Sequence, residues 1–126
     1  MSTIPSPFEV TEAQIADLVN NFYAQARAHP DLGPLFESTV HDWDGHLLTV
    51  RHFWSHVLLG TDRYKGHPYP VHMNLGIQRQ HFEHWLSLFK ATALATLPAD
   101  AAGLAIGKAE HMAQSFKAGL FPFDKV

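Results

Sequence analysis

Tyr69-Pro70-Val71-His72-Met73-Asn74-Leu75 is the stretch on which the reading of this chain turns. It lies between two long amphipathic patterns and is too short to be a full helix. Pro68 and Pro70 stiffen the backbone at its start. One imidazole, that of His72, stands at its centre. The helices on either side decide what that imidazole faces.

Upstream of it, the spacing predicts a helix over residues 42–59. Trp43, His46, Leu47, Val50, Phe53, Trp54, Val57 and Leu58 recur at intervals of three and four, and Gly60 is a natural stop. His46 falls within the apolar stripe, His52 on the opposite face and His56 at its margin. Leu32-Gly33-Pro34-Leu35-Phe36 reads as a compact turn with at most one helical turn. Before it, Thr11-Glu12-Ala13-Gln14 fits a capping box that opens a helix over 11–29. Ile15, Leu18, Val19, Phe22, Tyr23 and Ala26 form its buried stripe, and Pro30 ends it. Downstream, a helix over 79–95 turns Phe82, Leu86, Phe89 and Ala93 inward, with Trp85 at the edge. Pro98 opens a last helix to about residue 117, with Ala101, Leu104, Ala105, Ala109, Met112, Ala113 and Phe116 on its inner face. Residues 1–10 and 119–126 read as irregular arms. No run reads as a strand, so the chain is expected to be one all-α domain over 1–126.

Composition narrows the function. The chain has 126 residues, 46% hydrophobic and 17% charged, with a net charge of −3, so nothing suggests a nucleic-acid partner. The absence of cysteine excludes disulfides, iron–sulfur clusters and thioether-linked cofactors. No signal peptide or membrane-length apolar run is visible, so a cytoplasmic monomer without membrane contact is expected. The chain carries 10 histidines, most of which are expected to be solvated. His52 and His56 have the spacing of a metal pair but no third partner. His81 and His84 read as facing different sides of their helix.

Tyr23, His46 and Trp85 each put a polar tip on an apolar stripe, where it needs a partner. All three can converge on one small polar ligand, with His72 on the short segment opposite. Here the chain resembles the truncated haemoglobins, and among them the bacterial group three. The likeness rests on Phe22-Tyr23, on Leu32-Gly33-Pro34-Leu35-Phe36 and on His46 with Phe53-Trp54. It continues through Leu58-Leu59-Gly60, Tyr64 with Gly66 and Pro68, His72-Met73-Asn74-Leu75 and Trp85-Leu86-Ser87-Leu88-Phe89. It covers residues 11–116. Gly33, Gly60 and Gly76 stand singly, unlike the glycine pairs of other truncated groups.

The resemblance implies a two-over-two helical sandwich around non-covalent haem b, iron protoporphyrin IX. It pairs helix 11–29 with helix 42–59, and helix 79–95 with helix 98–117. His72 would be the proximal ligand to iron. Tyr23, His46 and Trp85 would form the distal pocket, and Val50 would pack over the ligand. Phe36, Phe53 and Trp54 would touch the porphyrin. Where globins often place a basic residue for a haem propionate, this chain has Thr49, leaving Arg51, Arg63 and Arg79 as substitutes. The implied function is binding of O₂, CO or NO, as carrier, sensor or store. An NO dioxygenase or peroxidase-like enzyme served by an external reductase is the alternative. A haem-free helical interaction module is the third reading.

Overall fold

Thr11 starts the first helix in the way its spelling predicts. In the computed structural model, which describes residues 10–64 and 77–120 (the side chain of Leu120 excepted), helix α1 runs Glu12–Ala28. The Thr11 hydroxyl accepts from the Gln14 amide at 3.1 Å, and the Gln14 side chain accepts from the Thr11 amide at 2.9 Å. All six residues of the expected stripe are buried. The order continues with α2 (Leu32–Thr39), α3 (Trp43–Leu59), α4 (Arg79–Thr96) and α5 (Ala99–Leu120). No strand occurs among the described residues. His72 and its segment, Gly76 and the arm before residue 10 lie outside them.

The expected turn at residues 32–36 is a two-turn helix, α2. Pro34 sits in its first turn, where a missing amide costs no helical hydrogen bond. The cap comes from His29, whose Nδ1 accepts from the amides of Asp31 and Leu32 at 3.0 and 3.2 Å. Gly33 lets the backbone of α2 lie against the end of α1: a Cβ there would stand 2.5 Å from the Arg27 carbonyl oxygen. Backbone, unlike a flexible side chain, has little room to yield. Gly33→Ala is therefore expected to lower stability by ~1–3 kcal/mol, as overpacking does, read from the urea midpoint. An unchanged midpoint would show that the junction can open.

Asp42 caps α3 by accepting from the Gly45 amide at 3.1 Å. Gly60 ends the helix at φ 76°, a left-handed value that glycine adopts without steric cost. The last helix begins as expected, with the Pro98 carbonyl accepting from Ala102, but runs to Leu120, past the expected end near 117. Leu104 is exposed, not inward. The alanines of α5, Ala101, Ala105 and Ala109, are fully buried and bring α4 close. Helix α1 packs on α2, α3 and α4, and α5 packs on α4 and α3. These are the two helix pairs expected, α1 with α3 and α4 with α5, laid one over the other. No described helix is long and apolar enough to cross a membrane.

Candidate functional site

The pairs do not close on each other completely. Between them lies a cavity of about 350 Å³, far larger than the water-sized voids of a packed interior and in the range of ligand pockets. Helix α1 contributes Leu18, Val19, Phe22 and Tyr23, and α2 contributes Leu32, Leu35 and Phe36. From α3 come His46, Thr49, Val50, Phe53 and Trp54. Helix α4 adds Phe82, Trp85 and Phe89, and α5 adds Met112, Ala113 and Phe116. Every described residue expected at the site is in this wall. The Met112–Phe116 face, Ile77, Phe82 and Tyr64 join it.

The walls are rings. Trp85 stacks on Phe89 at 5.5 Å with an interplanar angle of 11°, and Trp54 stacks on the same phenylalanine at 4.9 Å. Phe22 sets its edge against Trp85, Phe89 and Tyr23. Phe53 meets both Trp54 and Tyr64 edge-on. Such a lining suits a flat apolar ligand.

Thr39, Thr49 and His81 also border the cavity, and a hydrogen-bonded polar pair stands among the rings. Nε2 of His46 lies 3.1 Å from the Tyr23 hydroxyl, so His46 faces the cavity side of its helix. Burial pushes the Tyr23 hydroxyl well above the ordinary tyrosine range, so it stays neutral and keeps its proton. Thr49, where a basic residue might have stood, instead donates to the Gly45 carbonyl at 3.0 Å. Of the three substitutes, Arg63 is engaged by the Glu12 carboxylate and the Ser55 hydroxyl. Burial raises the Glu12 carboxyl, but hydrogen bonds from Ser55 and Arg63, with the charges of Arg63 and Arg51, outweigh it and hold Glu12 below the ordinary range.

Three other histidines make defined contacts. His81 and His84 were expected to diverge; they converge on one carboxylate. His81 Nε2 lies 3.3 Å from one Asp31 oxygen, and His84 Nδ1 lies 2.8 Å from the other. Residues three apart share a helix face, and this face meets the loop before α2. His81 also accepts from the Gln78 amide at 2.8 Å, at the start of α4. His81 itself borders the cavity. His56 is exposed and bonded to the Thr61 carbonyl. No group of three or more histidine or carboxylate side chains among the described residues is placed to hold a bare metal ion.

Comparison with known proteins decides the family. The family described as bacterial-like globin matches residues 10–117. The chain belongs to that family. This globin is 28% identical over 119 residues to the group 3 truncated hemoglobin ctb of Campylobacter jejuni, with 90% of this chain and 94% of that one covered. The crystal structure of a group III truncated hemoglobin from Campylobacter jejuni superposes with a TM-score of 0.85 at 28% identity, covering 94% of this chain and 98% of that one. The group-three resemblance and the two-over-two helical fold are thus borne out. Membership in a globin family implies a haem protein, and the aromatic cavity fits that cofactor.

Proposed function

We propose that this globin binds haem b with His72 as the proximal ligand to iron, and holds O₂ or another diatomic gas reversibly beside Tyr23, His46 and Trp85. The observation that carries the reading is the bond between buried Tyr23 and half-buried His46, a polar pair in a wall rich in rings. Ferrous haem with one axial imidazole supplies an open coordination position for a diatomic gas. The protein supplies the rest. With His46 donating from Nε2–H to the Tyr23 oxygen, the phenolic proton is left to point at the ligand. A donor held in an apolar cavity acts more strongly on a polar ligand than it would in water. Trp85, stacked on Phe89, turns its ring to the same space, and Val50, Phe36, Phe53 and Trp54 give apolar contact to ligand and porphyrin.

The test is the absorption spectrum of the purified protein, ferric, ferrous and under CO. An intense porphyrin band that sharpens and shifts with CO is expected. A chain that takes up no pigment when haem is added would instead support a haem-free module. The same polar pair favours a second reading. An imidazole bonded to the tyrosine hydroxyl can replace a proton that the hydroxyl gives up. Peroxidase-like chemistry asks such a proton of a distal pocket, whereas NO dioxygenation asks only that O₂ be held where NO can meet it. An enzyme of that kind would draw electrons from a separate reductase, so rapid multiple turnover with a reductase distinguishes it from simple binding.

A further inference from the structure

Next to the polar pair is an arrangement, centred outside the described cavity wall, that the binding function above does not use. Trp43 opens α3 one turn before His46. Its ring stands edge-on to His46 at 5.7 Å and 88°, and meets Tyr23 at 5.8 Å and 66°. Phe36 of α2 flanks it at 6.2 Å. Over the ring lies the guanidinium of Arg27, 4.1 Å from the centroid. Arg27 is in turn held by Glu37 of α2 at 3.3 Å. Trp43 is not itself part of the described cavity wall; its ring meets that wall at His46, Tyr23 and Phe36.

Helical side chains lean toward the preceding turn, over the residues N-terminal to them. For His46 that turn contains Trp43. An outward swing of the imidazole therefore sweeps the space that the indole fills. The indole is itself clamped between Phe36 and a guanidinium that belongs to α1 and is tied to α2. Three helices thus share in holding one imidazole against the cavity.

We propose that Arg27 and Trp43 form a latch that keeps His46 in the cavity wall, and so sets how fast a small ligand gains access from solvent. The inference rests on the haem reading above. Both are positioning residues, acting through His46. A ligand that must wait for His46 to move associates at a rate scaled by the fraction of molecules with the latch open. Removing the indole frees the imidazole from an edge-on ring contact and its guanidinium cover, which is enough to raise that fraction by ~5- to 10-fold.

The test is flash photolysis of the CO complex of the haem-loaded protein. Trp43→Ala is expected to raise the bimolecular association rate ~5- to 10-fold. Arg27→Gln, which keeps much of the stem and removes the charge, is expected to raise it less. On a His46→Ala background, where there is no imidazole to hold, Trp43→Ala is expected to change nothing further. An equal acceleration in both backgrounds would mean that the substitution only widens the cavity, and it overturns the latch. So does an unchanged rate in Trp43→Ala and Arg27→Gln. If Trp43→Ala fails to fold, Trp43→Phe carries the same pair of measurements with most of the packing kept. Failure of the wild-type chain to hold haem at all sinks the binding reading; a normal spectrum with a rate indifferent to Trp43 sinks the latch alone.

Discussion

Replacing His72 with glycine is expected to cost this globin more than ~100-fold in haem affinity, because removing even an outer partner of a metal ligand costs ~10- to 100-fold. The cavity offers the porphyrin apolar contact from many rings, but apolar contact does not fix the iron along the axis normal to the ring. That takes a coordinate bond. Among the described residues His46 is bonded to Tyr23, and His81 and His84 to Asp31, which leaves them committed elsewhere. His72 stands on a short segment between the helices that carry the two sides of the cavity. The measurement is haem retention on gel filtration together with the ferrous spectrum. Imidazole added to the His72→Gly protein should restore part of the wild-type spectrum, because the missing piece is one small ligand and not a fold. His52→Gly and His56→Gly serve as controls and should leave the spectrum as it is. Pigment kept at wild-type yield with the wild-type spectrum in His72→Gly would refute the assignment.

What the sequence disclosed depended on how far each signal reaches. Helix α1 could be read nearly to the residue, since its cap lies within four positions and its stripe within about four turns. The same holds for α3, between Asp42 and Gly60. Helix α2 is not visible in its own residues, for a physical reason. Gly33-Pro34 is turn chemistry when seen alone. What makes it helical is a cap from the His29 imidazole, a side chain outside the usual cap residues, and the close seat of Gly33 on the Arg27 carbonyl. The convergence of His81 and His84 is hidden by distance along the chain. Their spacing places them on one face, and the carboxylate that collects them, Asp31, is about fifty residues away in the chain.

The candidate site divides the same way. Tyr23, His46 and Trp85 were legible as polar tips on apolar stripes, and the wall contains all three. The bond between Tyr23 and His46 was not legible, because it depends on how α1 crosses α3. Trp43 looked like one more apolar residue of a stripe. Only the placement of Arg27 over its outer face and of His46 against its edge distinguishes it from the others.

Tyr23→Phe is expected to raise the O₂ dissociation rate ~10- to 100-fold, the loss of one good hydrogen bond to a ligand with partial negative charge. The substitution removes an oxygen and little volume, so the ring contacts with Phe22, Phe36 and Trp43 should survive. Comparison of gases separates electrostatics from shape. CO carries less charge on its outer atom than O₂, so its dissociation should change far less; equal changes for both gases would point to a reshaped cavity. The pH dependence gives a second check. Burial holds the Tyr23 hydroxyl above its ordinary range of ~10. The proton on which the bond depends should therefore stay in place, and the wild-type O₂ off-rate should be flat from neutrality to about pH 10. The sign for stability follows from the same shift. Above about pH 10 the unfolded chain releases the tyrosine proton more readily than the folded one, so stability falls as pH rises. The buried phenolate should therefore appear in the ultraviolet spectrum together with unfolding, not before it. An O₂ off-rate that is unchanged or slower in Tyr23→Phe, measured by stopped flow, would remove Tyr23 from the distal pocket and leave its bond to His46 as a packing feature.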